Sequence, residues 1–422
     1  MKITGIIAEY NPFHNGHLYH LKKTKEVTAA RGVICIMNGN FMQRGTPAMV
    51  DKWVRAEMAL KCGVDLVLEL PLVYGIRSAE YFASGALKLL ANTEVADSFV
   101  FGSESGKLEP LSRIASILAD EPDYFRKRLE HHLKSGQPFP AAREHALIDH
   151  LTRENGNPPG KEILQTLKQP NNILGIEYIK NIKKDSLSIK PITIKRKGGD
   201  YHDRKTEGRI SSATSIRNKF YSSGGNIEEI KKFIPEPSRE ILTEKVARSY
   251  LPLRRKHLGT MILSRLRSMK VEELREYSEL KNGLENRLHR LALSCGNLQE
   301  LLDKTKTRAY TWTRIQRSLL HILFQLKEDD FSRIGANGPR YFRILGFNKT
   351  GREILKLIKE NASLPLVTRP ANFIEKVNPD TTECLLAQLS LDILATDIYT
   401  LLYQKSQLRE GRQDFYRQVV RI

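Results

Sequence analysis

The feature that most constrains this chain is a regular alternation over its first 105 residues. Lys2–Tyr10 (KITGIIAEY), Val33–Met37, Val64–Leu70 (VDLVLEL) and Ser98–Phe101 are short, apolar, β-branched runs that predict buried strands. Between them, His17–Arg31, Val50–Cys62 and Ser78–Leu90 carry helical spacing, with Gly32 and Gly63 closing the first two and Pro71 halting the third strand. Strands separated by helices of about 10–15 residues predict βαβ units and a parallel sheet. Residues 108–170 break this rhythm. Leu111–Leu118, Phe125–Leu133 and Ala141–Leu151 read as helices, punctuated at Gly136–Pro140 and Gly156–Gly160. The alternation then resumes with a helix over Leu174–Ile182, a strand over Leu187–Lys195 and a helix from Ser215 to Phe220. Beyond about 225 only helical periods are found, as in Ile227–Phe233, Val271–Tyr277, Leu284–Leu293, Trp312–Leu326 and Leu385–Leu402, with Pro235 and Pro237 marking a linker. The expectation is a Rossmann-like α/β domain over 1–225, with a helical insertion at about 108–170. An all-α C-terminal domain over 226–422 would follow.

Composition removes several other classes. No run of about 18 apolar residues exists to cross a membrane. The apolar start is too short for a signal peptide. Cys35, Cys62, Cys295 and Cys384 show no C-x-x-C spacing, so neither a zinc ribbon nor a disulfide framework is expected, and a reduced cytoplasmic setting is. No metal ligand set and no protein partner are implied.

The net charge of +20 is unevenly placed. Residues 1–150 hold 18 basic and 17 acidic residues, and residues 351–422 hold 10 and 9. Residues 151–350 hold 40 and 22, an excess of 18. Solubility requires no such gradient. Confined excess charge is the footprint of a polyanion partner.

The run Glu9-Tyr10-Asn11-Pro12-Phe13-His14-Asn15-Gly16-His17 lies directly after the first predicted strand and opens a predicted helix. Ligands of open α/β sheets bind beyond the carboxyl ends of the strands. A helix N-terminus there favours phosphate, and Gly16 lets backbone approach a nucleotide. His14 and His17 can donate to charge developing on a phosphorus centre and on departing pyrophosphate. The run resembles the G-x-F-D-P-x-H-x-G-H signature of the nucleotidyltransferase superfamily, with Asn11 in place of Asp and Glu9 in place of a small residue. Residues 210–217, Ile-Ser-Ser-Ala-Thr-Ser-Ile-Arg, resemble the superfamily's I-S-S-T-x-I-R segment with one extra residue. Its hydroxyls and Arg217 could grip a triphosphate, although a Ser/Thr run also suits a helix cap.

Longer phrases are more specific. GIIAEYNPFHNGH (5–17), MNGNFMQRGTPAMVDKWVRAEMAL (37–60), VDLVLELP (64–71), FGSESG (101–106), QPNNILGIEYIK (169–180) and YTWTRIQRSLLHIL (310–323) look like the bacterial tRNA(Met) cytidine acetate ligase family, in order over most of the chain. The resemblance implies a two-step ligase. Acetate and ATP give acetyl-adenylate, and the wobble cytidine of elongator tRNA(Met) takes the acetyl group as N4-acetylcytidine. It implies catalytic roles for His14, His17 and Arg217, with Mg2+ accompanying ATP. It also implies an ATP site along Ile7, Ala8, Glu9, Tyr10, Asn11, Pro12, Phe13, His14, Asn15, Gly16, His17 and His20. Gly102, Asn171 or Asn172, Arg196 and Ser215 would complete that site. Asn171 and Asn172 equally suit a helix cap, and Arg196 a solvated strand end. Gln43-Arg44-Gly45 and Asp51-Lys52 are expected on the same rim, shaping the acetate or cytidine pocket, although Asp51 alone equally suits a helix N-cap.

For RNA, Lys195, Lys197, Arg204, Lys205, Arg254, Arg255, Arg314 and Arg317 are the candidate cations. Tyr310 and Trp312 interleave with the last two and either stack on bases or pack inward. Two other readings remain at this level: a nucleotidyltransferase acting on a small phosphorylated metabolite, and an RNA-binding protein without catalysis.

Overall fold

The structure is a computed structural model that describes residues 1–197, 208–307, 309–375 and 383–422. Five strands follow the expected alternation: β1 (Ile3–Ala8), β2 (Gly32–Asn38), β3 (Leu66–Leu70), β4 (Ser98–Ser103) and β5 (Lys190–Lys195). They run parallel in the order β5-β4-β1-β2-β3. Residues of β2 and β3 are buried throughout, which is why they read as continuous apolar runs rather than alternating ones. Helices α1 (Asn15–Thr28), α2 (Lys52–Lys61), α3 (Leu72–Gly75) and α4 (Ala79–Ala91) connect the first four strands. Four helices form the insertion: α5 (Leu108–Asp120), α6 (Asp123–Lys134), α7 (Phe139–Asn155) and α8 (Lys161–Thr166). Helix α9 (Pro170–Lys184) packs on both α4 and α5, returning the chain to β5, and α10 (Ala213–Ser222) follows.

The C-terminal part is mostly helical, but the all-helical expectation needs a correction. Three strands, β6 (Phe342–Phe347), β7 (Leu366–Val367) and β8 (Val420–Arg421), join the same sheet. β6 lies antiparallel against β3, and β7 and β8 both pair with β6. The sequence FRILGF hid this strand because it is short and carries Arg343 at its second position. That arginine is 1 % exposed and pairs with Asp414 at 2.8 Å. Pro235 and Pro237 are likewise no linker. Pro235 is the N-cap of a helix over Glu236–Ala247 and Pro237 sits in its first turn, where a missing N–H costs nothing. Ile227–Phe233 is two short 3-10 turns rather than an α-helix.

One contiguous hydrophobic core runs from Ile3 to Val419, so both parts of the chain share it. A buried ionic group joins them as well. Lys52, wholly enclosed at the start of α2, donates to Glu69 of β3 at 2.9–3.0 Å and to Asp414 at 2.9–3.0 Å. Asp392, on the helix Glu383–Thr400, accepts from the Leu72 N–H at 2.7 Å and from the Tyr341 hydroxyl. Burial and the neighbouring Glu69 hold the Asp392 carboxyl well above the usual carboxylate range. The expectation that Asp51 and Lys52 line a substrate pocket is therefore corrected. Asp51 caps α2 through the Val54 N–H and accepts from Tyr403 and Arg417 (2.9 and 3.0 Å).

Removing one member of a buried ion group strands its partners' charges, at a cost of roughly 3–5 kcal/mol. Lys52→Met is expected to lower the unfolding free energy by about that amount, read as a drop in the urea midpoint followed by circular dichroism.

Candidate functional site

The site is built at the carboxyl end of β1. His14 caps α1 with extended backbone, and its Nδ1 accepts the Gly16 N–H at 3.0 Å. The His17 Nδ1 accepts the His14 N–H at 3.3 Å. The two rings stack with centroids 3.7 Å apart and planes 24° from parallel. Because each Nδ1 is an acceptor, the neutral rings carry their proton on Nε2. A Cβ at residue 16 would fall 2.8 Å from the His14 ring, so glycine is required by the cap itself.

Charge is kept off these rings. Burial first, then Arg196 and Arg217, push His14 down to about 3. His17 and His20 keep part of their surface open but sit deep among protein atoms. Burial, then His14 and Arg196, hold His17 well below its ordinary value. Burial and Arg196 push His20 down to about 4, and the His20 Nε2 is buried without a partner. At neutral pH the imidazoles are donors, while the arginines carry the positive charge.

The second motif docks directly on the first. Arg217, on α10, donates to the Asn11 carbonyl at 2.6 Å and to Thr214 Oγ1 at 3.2 Å. Asn15 Nδ2 donates to the Arg209 and Lys232 carbonyls at 2.8 and 3.0 Å. Ser212 caps α10 by accepting the Ser215 N–H at 3.2 Å. The N-termini of α1 and α10 thus lie side by side, both favourable to anions. Ile7 and Ala8 end β1 half-buried, Tyr10 packs on Phe13 at 4.6 Å, and buried Pro12 lies between Asn11 and Phe13. Tyr10 adopts φ 46°, a strained conformation for a bulky residue, in the turn that leaves β1. Asn11, at the position usually held by Asp, is buried with its Oδ1 accepting the Met49 N–H at 2.7 Å. Glu9 Oε1 accepts the Gln43 N–H at 2.8 Å.

Gly102 ends β4 beside Arg196, whose N–H donates to the Ser103 carbonyl at 2.9 Å. The two asparagines are separated by their bonding. Asn172 is fully buried, its Oδ1 accepting the Glu104 and Ser105 N–H groups and its Nδ2 donating to Gln169. Asn171 is half-buried and donates to Glu104 Oε1 at 2.7 Å. Glu104, which the sequence reading passed over, caps α9 by accepting the Asn171 and Asn172 N–H groups at 3.2 and 2.8 Å. Its only sequence signal is its place two residues after Gly102.

The basic candidates divide. Lys195, Lys197, Arg254 and Arg255 are exposed, with Lys197 over the Tyr19 ring at 4.9 Å and Arg255 over Tyr221 at 4.1 Å. Burial first lowers the proton affinity of Arg196 and Arg217, to which Arg44 adds for both and Arg255 for Arg217. Arg314 and Arg317 are turned to the protein instead. Arg314 donates to the Glu279 carbonyl at 2.9–3.0 Å, and Arg317 pairs with the Glu279 carboxylate at 3.1 Å. Tyr310 and Trp312 are half-buried against the core. Arg204 and Lys205 lie outside the described residues.

Two helix N-termini, two pinned imidazoles and a ring of guanidiniums at a parallel-sheet rim define a nucleotidyltransferase-type site. The profile described as HIGH Nucleotidyl Transferase matches residues 1–414. The tRNA(Met) cytidine acetate ligase of Halothermothrix orenii is 48 % identical over 422 residues, all of both chains, and that of Acetivibrio thermocellus 41 % identical over the whole of both. Thermotoga maritima TmcAL bound with alpha-thio ATP has a TM-score of 0.92 and 38 % identity with complete coverage of both chains, and its apo form 0.94 and 39 %. The chain belongs to the tRNA(Met) cytidine acetate ligase family of HIGH nucleotidyl transferases.

The depressed histidines have a pH consequence. Their protons bind the unfolded chain more readily than the folded one, so stability is full above the ordinary value near 6.5 and is lost as pH falls toward 4. His20→Gln removes one such group. It is expected to make the fall in unfolding free energy between pH 6 and 4 shallower by about 1.4 kcal/mol per pH unit, measured by urea titration against wild type.

Proposed function

We propose that this protein is an ATP-dependent ligase that acetylates the wobble cytidine of elongator tRNA(Met). The observation that carries the reading is the stacked His14–His17 pair, both Nε2–H donors free beside Arg217. Acetate is already an anion, so the first step requires alignment and charge neutralisation rather than a base. One acetate oxygen bonds to the α-phosphorus of ATP. The bridging bond to the β-phosphate breaks, and pyrophosphate leaves with its electron pair. His14 and His17 donate to the oxygens where charge develops, and Arg217 and Arg196 balance the triphosphate. The cytidine N4 then bonds to the acetyl carbon, the bond to the phosphate oxygen breaks, and AMP leaves while N4 loses a proton.

Within this reading, the ends of β1 and β4, from Ile7 and Ala8 to Gly102, offer backbone to the nucleoside. Asn171 rather than Asn172 reaches the nucleotide, and Ser215 meets phosphate at the α10 N-terminus. Among the described residues no group of three His, Cys, Asp or Glu side chains could hold a metal. Mg2+ would enter on the triphosphate as part of the substrate. Residues 1–225 act as the nucleotide unit and 226–422 as the tRNA-binding unit, with Lys195, Lys197, Arg44, Arg254 and Arg255 as phosphate contacts. Arg317, paired with Glu279, supports that surface rather than touching RNA. Among the described residues no helix is long and apolar enough to cross a membrane, and a tRNA substrate places the enzyme in the cytoplasm. Neither step calls for a protein partner.

The test is incubation with ATP, labelled acetate and unmodified tRNA(Met). AMP and label on cytidine are expected, and a reaction without either overturns the reading. His14→Ala and His17→Ala should each lower acetate-dependent ATP–pyrophosphate exchange by about 100–1000-fold while tRNA binding survives. Binding of tRNA should weaken steeply between 50 and 200 mM salt, by roughly 1000-fold if six phosphates are contacted, as read by filter binding.

A further inference from the structure

A second hollow lies along the rim from the histidines. It has a volume of about 280 Å³ and is lined by Arg77, Ser78, Tyr81, Ser278, Glu279, Arg314 and Glu328. One wall is the turn after β3 and the first turn of α4. The other is the Glu279 turn and the helix Trp312–Phe324. The two walls come from different halves of the chain and are bonded at the rim, where His321 Nε2 meets the Ile76 carbonyl at 2.9 Å.

Its chemistry is that of a stacking platform. The Arg77 guanidinium lies 3.4 Å from the Tyr81 ring centroid and 4.3 Å from that of buried Phe331. This clamps one face of Tyr81 in a rigid Phe–Arg–Tyr stack. Tyr81 nevertheless remains 45 % exposed. Ser78 and Ser278 line the same hollow, and Ser78, at the N-cap of α4, makes no side-chain bond to that helix. The carboxylates in the hollow are already paired, Glu279 with Arg317 and Glu328 with Lys281, so Arg77 and Arg314 leave a positive balance. A flat ring with one open face, flanked by free hydroxyls and net positive charge, suits an unpaired nucleotide.

The hollow is also coupled to the catalytic motif by a single residue. The Gln43 N–H donates to Glu9 Oε1 and its side-chain amide donates to the Arg77 carbonyl, both at 2.8 Å. The loop that holds Gln43 is fixed in turn. Gly45, at φ 81°, lies so close to Gln316 and Arg317 that a Cβ would fall 2.4 Å from the Gln316 carbonyl carbon.

We propose that Tyr81, backed by Arg77, stacks an unpaired nucleotide of the RNA substrate, a second single-strand site beside the one that takes the acetylated base. This rests on the tRNA reading above. The test measures binding of a tRNA(Met) transcript and of a blunt RNA duplex of similar length to wild type, Tyr81→Ala and Tyr81→Phe. Loss of one stacked base corresponds to about ten-fold weaker binding. Tyr81→Ala should weaken tRNA binding by that factor and leave duplex binding within two-fold, while Tyr81→Phe binds tRNA as wild type does. An unchanged tRNA affinity in Tyr81→Ala overturns the proposal, as does an equal loss for the duplex, which would mark a general charge effect. A defect in Tyr81→Phe as large as in Tyr81→Ala also overturns it. Acetate-dependent pyrophosphate exchange by the wild type, run alongside, reports on the ligase reading alone.

Discussion

Arg55 holds the catalytic rim in place. Its guanidinium is wholly buried and donates to main-chain carbonyls: Val50 at 3.2 Å, Glu9 at 2.7 Å, Asn38 at 3.0 Å, and Gly39. These are the carbonyls released where β1 and β2 end and the loop to α2 begins. Left alone they would be buried acceptors without donors, each costing on the order of 1–3 kcal/mol. Arginine is the side chain able to meet several at once, because its five donors are fixed in a plane. With the two strand ends gathered, the turn through Tyr10 and Asn11 has one path, and His14 arrives where it caps α1.

From that point the site assembles by its own polar groups. The cap uses both Nδ1 atoms, which fixes the tautomers. The same turn offers the Asn11 carbonyl to Arg217, drawing α10 to the motif across some two hundred residues of chain. Arginines close to neutral imidazoles look like poor design until the triphosphate is considered. The site concentrates positive charge on residues that never lose it and keeps the histidines as uncharged donors. A tetra-anionic ligand would satisfy the guanidiniums and raise the proton affinity of the rings at the moment their donation is needed.

Much of this was legible in the chain, and its limits have physical causes. β2 and β3 announced themselves because burial on both faces demands unbroken apolar runs. The histidine motif was visible because its residues are contiguous. The start of α1 was placed two residues late, since a histidine cap is not among the usual Ser, Thr, Asp and Asn signals, and its end three residues late. β6 was missed because its buried charge is balanced by Asp414, 71 residues away. No local window can show that a lysine or arginine will find its partner in the interior. Arg314 and Arg317 misled in the opposite sense, for the sequence shows a cation but not the carbonyl or carboxylate that it meets. Charge in the middle of the chain pointed to a polyanion, yet the fold uses part of that charge for itself.

The shared sheet alters how the two halves can act together. A tRNA-binding unit joined only by a flexible linker would bring its RNA near the nucleotide at some effective concentration and leave alignment to chance. Here the C-terminal chain supplies β6 to the sheet, Asp414 to Lys52 and Arg343, Tyr403 to Asp51, and a helix backbone against Gly45. Apart from the Asp414–Arg343 pair, which lies within the C-terminal part, each contact falls on β3 or on the loop and helix that follow β2, one strand from the histidine motif. Acyl transfer to a base requires the acceptor amine within about 3–3.5 Å of the acetyl carbon, and a small error in placement is costly. Continuity of core and sheet would meet that demand, because the proposed nucleotide and RNA surfaces then rest on one packed interior.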